Sequence, residues 1–540
     1  MKFRTLVGLA FASAIGTLFS TAPFGFSFAA IIAIVTLVYI ACNAKHRIEK
    51  WVVFSFQLPL WLWLEHWVID VSIGGWIGLS VYMSMWAPIF VVLLRRVCST
   101  PRLQSITIVL TAPVLWVGLE CLRGIVIFDG YPWFLAGTGL VDTVQAQIAA
   151  LGGVWLVSFA VVSWSAAIGN LRNLQKKTVN IVCGTVFISS IYGWYVKKGP
   201  IPTRLPIALI QTNVPQSNKI AWTKEQQQAD VDAAVRLTRK AAQEKTKFDQ
   251  RPRLIVWPET MLPGAGFEVQ GVDFAPYTAS AQSLWKFSEI IRELAYELDT
   301  PLLVGSHTWL GVTVDDEDQE WIQIRSKQEF NSAVLVQPNG STSRYDKSFL
   351  TPFGERIPYV NLWPALENFV RDAVGTPMLF SLDAGDGQSN LVVDGIRIAT
   401  PICFEDTVPS VIRNLVWKNN TRQVDVLINM SNDGWFGTMN AARLQHVREA
   451  RMRCIENRTP MVRCANTGQS CLINARGEVQ TVATNGETIA LNEAAILLVS
   501  PLKGWERPIS IFVGDGVAWS SLFGGILLIA CTFYKKEHSS

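Results

Sequence analysis

Charge is the scarcest commodity in this chain. Only 17% of its 540 residues are Asp, Glu, Lys or Arg, and 50% are hydrophobic, whereas an ordinary soluble domain carries about 25% charged residues. The deficit points to lipid. Net charge is +4 and no Lys/Arg-rich tract occurs, so no nucleic-acid partner is expected. Internal repeats at a fixed period and low-complexity segments are also missing. The nine cysteines are odd in number and irregular in spacing. Cys454, Cys464 and Cys471 form no C-x2-C pair, so neither a zinc site nor a disulfide framework is indicated. Cys42, Cys98, Cys121, Cys183 and Cys531 lie in apolar runs, where a thiol acts as a small hydrophobe. Nothing in the motifs asks for a metal or a cofactor.

What is present is unevenly spread. Residues 1–200 are apolar runs broken by short charged loops, with candidate spans near 5–20, 26–42, 51–69, 74–94, 104–122, 146–169 and 178–195. Several approach the roughly 20 residues needed to cross a bilayer. The first two are short and read either as separate crossings or together as a re-entrant hairpin. The start (Met1, Lys2, Phe3, Arg4, then an apolar run) resembles a signal peptide, but further spans follow at once and no small-residue cleavage site stands out, which favours an uncleaved helix. A last apolar run covers about 508–534, giving an expected total of about eight transmembrane helices. Alternate loops hold the basic residues: Lys2 and Arg4; Lys45, Arg47 and Lys50; Arg95, Arg96 and Arg102; Arg172, Lys176 and Lys177; and finally Lys535 and Lys536. The intervening short loops carry only Arg123. By the positive-inside rule both termini are expected in the cytoplasm and residues 205–503 outside it.

Residues 205–503 change character. Leu205–Gln211, Leu254–Trp257, Leu302–Ser306, Ala333–Val336, Ile396–Ile402 and Val424–Asn429 read as buried strands. Residues 224–245, 280–298 and 438–458 read as helices. This alternation predicts an α/β sandwich. The expected organisation is therefore a membrane domain over 1–200, a catalytic domain over 205–503 and a closing membrane helix over 508–534.

Three motifs put polar groups at the ends of apolar strands, where α/β sheets place ligand sites. They are Leu254-Ile-Val-Trp-Pro-Glu259-Thr260, Arg344-Tyr-Asp-Lys347 followed by Thr351-Pro-Phe-Gly-Glu355, and Pro401-Ile-Cys403-Phe404-Glu405-Asp406. Taken singly, a Glu in a loop, a surface Lys or a Cys ending a strand is usually bland. Together they make a nucleophile and its attendants. A free thiol has a pKa near 8.5, so Cys403 needs a carboxylate to take its proton and an ammonium to hold negative charge. Glu259 and Lys347 supply both. Lys347, with a backbone N–H near Phe404, also suits the oxyanion of acyl transfer.

These residues resemble the nitrilase (carbon–nitrogen hydrolase) superfamily, with its Glu-Lys-Cys triad, and more narrowly the bacterial apolipoprotein N-acyltransferase family. The resemblance rests on Trp257–Thr260, Phe330–Gly340, Arg344–Pro358, Ile402–Glu405, Asn429–Gly437 and Arg463–Gly468, in order, and on Glu120–Arg123 with Gly130–Trp133 in the membrane part. It implies a nitrilase-like αββα sandwich carried by a polytopic α-helical membrane domain. By the same resemblance Glu259 is the general base, Lys347 the oxyanion stabiliser and Cys403 the nucleophile. Glu355 is then the second active-site glutamate and Glu405 the glutamate two places past the nucleophile. Trp222 matches a substrate-side tryptophan. Asn432 and Trp435 are read either as substrate contacts or as a polar turn with an aromatic plug. The family commonly has Tyr directly after the nucleophile; Phe404 offers no hydroxyl there.

The implied reaction moves a fatty acyl chain from a glycerophospholipid to the N-terminal amine of a diacylglyceryl-modified lipoprotein, by way of a thioester. The implied setting is the inner membrane of a bacterium, with the catalytic domain on the periplasmic side and membrane lipids as surroundings. An apolar segment, 359–380 with Trp363 and Phe369, reads as an arm gating the site or as a short core helix. In the anchor, Glu65 and His66 among Trp61, Trp63 and Trp67 read as interfacial groups reaching headgroups. Two other functions compete. A membrane-tethered amidase shares the triad, and a transporter with an outer binding domain would show internal repeats that this chain lacks.

Overall fold

The computed structural model describes residues 1–43, 48–103, 107–196, 205–217, 222–245, 249–268, 284–315, 323–356, 358–359, 382–389, 391–483, 486–501 and 507–533. The loop residues Lys45 and Arg47, nearly all of the apolar segment with Trp363 and Phe369, and the terminal Lys535 and Lys536 lie outside them.

Apolar composition becomes helix over most of the described residues up to Val196. The helices are α1 (Phe3–Ser20), α2 (Ser27–Asn43), α3 (Glu49–Leu64), α4 (Ile73–Ser84), α5 (Trp86–Cys98), α6 (Ile108–Cys121), α7 (Ala149–Gly169) and α8 (Lys176–Val196). Among the described residues, five helical stretches are long and apolar enough to cross a membrane: Phe3–Ser20, Ile73–Cys98, Ile108–Asp129, Val144–Gly169 and Lys176–Val196. Ser27–Asn43 and Gly516–Cys531 are apolar but shorter. α1 and α2 are separate helices packed on one another. The expected span 51–69 is interrupted: α3 ends at Leu64, and a 3-10 turn covers His66–Asp70. Glu65 does not reach headgroups. It is fully buried and accepts hydrogen bonds from Trp67 Nε1 at 3.1 Å and the Tyr131 hydroxyl at 3.2 Å. His66 remains exposed, edge-on to Trp76.

Small residues set the helix crossings, as expected where lipid offers no hydrophobic drive for association. A Cβ on Gly16 of α1 would lie 2.8 Å from the Ala29 carbonyl oxygen and 2.8 Å from the Ala33 nitrogen of α2. A Cβ on Gly169 of α7 would lie 3.0 Å from the Val35 carbonyl oxygen of α2.

Beyond residue 205 the described residues include two six-stranded sheets. The first runs β12 (Ala495–Val499), β1 (Ile207–Gln211), β2 (Leu254–Val256), β3 (Leu302–Leu310), β4 (Gln328–Val336), β5 (Thr342–Asp346). The second runs β11 (Val479–Gln480), β10 (Cys471–Ile473), β9 (Met461–Ala465), β8 (Val426–Ser431), β7 (Ile396–Ala399), β6 (Leu391–Val393). Each has parallel strands at its centre, β1-β2-β3 and β7-β8-β9, with antiparallel strands outside. Ile207, Leu209 and Val256 of the first sheet share a core with Ile398, Leu427 and Val462 of the second. The opposite face of the first sheet, with Ala208, Ile210 and Ile255, packs under helices Lys224–Gln243 and Lys286–Leu298 (α9 and α10). Central strands buried on both faces explain the unbroken apolar runs in the sequence. The strand expected over Ile396–Ile402 stops at Ala399, because Pro401 has no N–H to give a ladder; Ile402 keeps only an isolated bridge to Met430.

Helix α12 (Asn440–Asn457), which follows the eight-residue α11 (Pro409–Val416), joins the two parts. It is charged yet buried. Arg448 and Arg451 both reach Asp142, at 2.6 and 2.7 Å. Glu449 accepts from the Phe134 N–H at 3.0 Å and the Thr138 hydroxyl at 2.9 Å. Glu456 accepts from the Val154 N–H at 2.5 Å. Just past the helix, Arg458 donates to Gln147 at 2.6 Å. Every one of these partners lies in the membrane part.

Replacing Gly16 by Leu should overpack the α1–α2 crossing and cost about 1–3 kcal/mol. Thermal unfolding of the purified protein in detergent should register the loss. Gly8→Leu, at a position with nothing within 4 Å, should leave the midpoint unchanged.

Candidate active site

The first sheet delivers a carboxylate. β2 runs out into Trp257 and Pro258, and Glu259 follows, 5% exposed. Its Oε1 accepts from Asn331 Nδ2 at 2.8 Å and its Oε2 from the Asn432 N–H at 2.8 Å. β5 delivers the ammonium at its end. Lys347 is 1% exposed, with Nζ 2.7 Å from Glu355 Oε2 and 3.6 Å from Glu259 Oε1. It also donates to the Thr351 hydroxyl at 3.3 Å. Burial alone would push Lys347 toward neutrality, but Glu355 and Glu259 outweigh it and hold its pKa above the usual lysine value. Glu355 is the mirror case. Burial would raise its carboxyl, and Lys347 brings it below the ordinary range. Glu355 is steadied by Asn331 Nδ2 at 3.1 Å and the Thr351 N–H at 2.9 Å.

The second sheet delivers the sulfur. Past Pro401 the chain turns sharply, and Cys403 takes φ 49°, a left-handed conformation that is costly for a residue with a Cβ. The residue is half-buried. Glu259, Lys347 and Asp433 are the charged groups that act on its sulfur. Burial, then Glu259, push the thiol well above its ordinary pKa, and Lys347 opposes them. At rest Cys403 is therefore a thiol beside a carboxylate, not a thiolate.

Glu405 buckles the turn. Its Oε1 accepts from the N–H groups of Ser348 and Phe349 at 2.8 and 2.9 Å and from the Ser348 hydroxyl at 2.8 Å. Its Oε2 accepts from the Ile402 N–H at 2.8 Å, and the Tyr345 hydroxyl lies 3.0–3.1 Å from both oxygens. One carboxylate thus ties the residue before Cys403 to the residue after Lys347. Phe404 points toward the anchor, stacked on Tyr131 at 6.4 Å and 3° and on Phe349 at 6.1 Å. Trp133, Phe436 and Val408 complete the cluster.

The remaining sequence-derived residues are dispersed. Asn432 backs the carboxylate through its N–H, while its side chain bonds Gln216, Gly434 and Asn466, as a turn residue would. Trp435 is half-buried in the same turn. Trp222 donates its indole N–H to Asp230 at 2.9 Å, within its own helical start. Trp363 lies outside the described residues. Sequence reasoning gave no role to Asn331, which bonds both Glu259 and Glu355; a polar residue near the start of an apolar strand was its only signal. It also missed a fully buried cluster of Asp406, Asp433, His446 and Arg463, whose members look like surface charges in the sequence. Arg123 donates to the carbonyls of Tyr131, Trp133 and Phe134. Among the described residues no group of three or more His, Cys, Asp or Glu is arranged to hold a metal.

A buried carboxylate, a buried ammonium and a thiol meet at converging strand ends, a combination suited to covalent acyl chemistry. The chain belongs to the carbon–nitrogen hydrolase family, whose model matches residues 207–499. Residues 13–167 match the model described as the apolipoprotein N-acyltransferase N-terminal domain. Among curated relatives, the apolipoprotein N-acyltransferase of Geobacter metallireducens is 28% identical over 484 residues, 86% of this chain and 81% of that one. That of Vibrio vulnificus is 28% identical over 552 residues, covering 96% and 97%. Among solved structures, an amidase from Nesterenkonia sp. is 15% identical with a TM-score of 0.31, covering 56% of this chain and 92% of the amidase.

Two outcomes are expected. Glu405→Ala strands several buried donors and should cost about 3 kcal/mol or more in unfolding free energy, with Glu405→Gln in between. The raised thiol should make Cys403 slow to alkylate at neutrality, with iodoacetamide rates climbing about tenfold per unit from roughly pH 7 to 9. A flat profile across that range would contradict the assignment of a resting thiol.

Proposed function

We propose that this protein is a membrane acyltransferase that moves a fatty acyl chain from a glycerophospholipid to the N-terminal α-amine of a diacylglyceryl-cysteine lipoprotein. One observation carries the reading. Lys347 is held between Glu259 and Glu355, beside Cys403, in a chain that aligns over most of its length with curated apolipoprotein N-acyltransferases.

Glu259 takes the thiol proton as the sulfur attacks the ester carbonyl of the phospholipid. The oxyanion forms beside Lys347 and the N–H of Phe404, which hold it electrostatically. Its collapse expels the glycerol oxygen, which leaves with the proton from Glu259 as a lysophospholipid. The acyl group stays on Cys403 as a thioester. The lipoprotein amine then attacks, Glu259 accepts the amine proton, and the sulfur departs to be reprotonated. Lys347 keeps its proton throughout, as its two carboxylate neighbours require.

The setting follows from the same reading. Eight crossings put both termini in the cytoplasm of a bacterium, with residues 205–503, an αββα sandwich, on the periplasmic face of the inner membrane. Residues 1–200 and 508–534 are the anchor. Both substrates are lipids of that bilayer, so a site at its surface meets them at high local concentration. Phe404 stacked on Tyr131 leaves an apolar wall that favours an amine over water in the second step. Trp222, Trp435 and Trp363 are assigned to the substrate side, and Asn432 to support of Glu259.

Intact-mass analysis of the purified protein after incubation with phospholipid tests this directly. One added acyl mass, removed by hydroxylamine and absent in Cys403→Ser, is expected; its transfer to a diacylglyceryl peptide completes the cycle. Glu355→Gln should slow adduct formation by about 10- to 100-fold, since Lys347 loses an ionic partner. Ammonia release from small amides without an acyl adduct would instead make it an amidase.

A further inference from the structure

The cluster behind the nucleophile has no part in the chemistry above, yet it leads to the sulfur. Asp406, Asp433, His446 and Arg463 are each at most 1% exposed. Arg463 Nη1 is 2.6 Å from Asp406 Oδ2 and its Nη2 is 2.8 Å from Asp433 Oδ2. The His446 ring spans the same two carboxylates, with Nε2 2.8 Å from Asp406 and Nδ1 3.2 Å from Asp433. Taking such charges out of water is costly and is weak evidence for stability on its own. What distinguishes this cluster is its outlet. The Ser431 hydroxyl donates to Asp433 Oδ1 at 2.7 Å. Ser431 follows Met430, which is bridged in parallel to Ile402, so Ser431 and Cys403 are the next residues in register at the C-terminal ends of two neighbouring central strands. Ser431 acts on the sulfur in favour of its anion.

A serine hydroxyl has one proton. While that proton is spent on Asp433, only lone pairs face Cys403, and they suit a neutral thiol that donates S–H. When the sulfur is negative, they are repulsive. Asp433 can release the hydroxyl at little cost, because Arg463 and His446 still bond it. Burial would raise the Asp433 carboxyl, but Arg463 and His446 hold it far below the usual range, so it stays an anion with or without Ser431.

We propose that Ser431 is a positioning residue for Cys403: its hydroxyl rests on Asp433 and turns to donate to the sulfur whenever the sulfur carries negative charge. It turns once as the thiol is deprotonated and again as the thioester releases the sulfur to the incoming amine. No covalent bond to Ser431 forms, and the thiol proton still goes to Glu259. The cluster of four holds Asp433 ready for the hydroxyl's return. The role in turnover rests on the acyl-enzyme reading; the bond to the sulfur does not.

Alkylation of Cys403 by iodoacetamide in the full-length protein, followed against pH, isolates that bond. Ser431→Ala should move the profile toward higher pH and slow alkylation about tenfold at fixed pH, the usual worth of one hydrogen bond to a charged group. Ser431→Thr, which keeps the hydroxyl, should return the rate to within about threefold of the parent on the same reasoning. Acyl-adduct formation from phospholipid should fall and recover in the same order. An unshifted alkylation profile in Ser431→Ala, or a Thr variant no better than Ala while both melt like the parent, would overturn the proposal. A shifted profile in a protein that forms no acyl adduct would support the bond to sulfur and sink the acyl-enzyme reading instead.

Discussion

The arrangement depends on one buried cation. An ammonium at 1% exposure survives only if its lost hydration is replaced, and Lys347 has two carboxylates and a hydroxyl in its place. The two carboxylates in turn need donors. Asn331 gives one amide hydrogen-bond partner to each, and the backbone of Asn432 and Thr351 gives the rest. Charge in this pocket is therefore fixed before any substrate arrives, which is what electrostatic stabilisation of an oxyanion requires.

The two sheets meet at this pocket because their strand ends are tied together. The Glu259 carboxylate and the Lys347 ammonium come from the first sheet; the Cys403 sulfur comes from the second. Hydrophobic contact between sheets sets their separation but not the register of these three groups. Glu405 supplies that register by bonding Ile402 on one side and Ser348 and Phe349 on the other. Ser431 and the charged cluster support the sulfur from the rear. The strained backbone at Cys403 is held in place from both directions, consistent with strain persisting only where surroundings over-determine it.

Much of this was legible in the sequence, for identifiable reasons. Strands such as Ile207–Gln211 and Val426–Ser431 are buried on both faces and read as unbroken apolar runs. Glu259 and Cys403 stood out because each breaks such a run at its end, and Lys347 because it closes the Arg344-Tyr-Asp motif. Strand Met461–Ala465 was not visible, since Arg463 and Cys464 interrupt its apolar pattern; the arginine is there to pair with Asp406 and Asp433. Helix Asn440–Asn457 was visible as a helix, but nothing local to its arginines and glutamates signalled that they are buried. Charge in a sequence signals exposure only when its partners are also local, and here the partners are some 300 residues away. Glu65 misled in the same manner: its bonding partner Tyr131 comes from a different segment.

That helix also bears on what the anchor is. A tether could be exchanged for any other hydrophobic segment, as a rope can be replaced by another rope. Here Arg448, Glu449, Glu456 and Arg458 find their counterparts in Asp142, Thr138, Val154 and Gln147, so the lipid-embedded half works as a mould for the catalytic half. Grafting a foreign anchor would leave ionised groups stranded against hydrocarbon. Recombination between distant homologues can succeed only where both halves travel together.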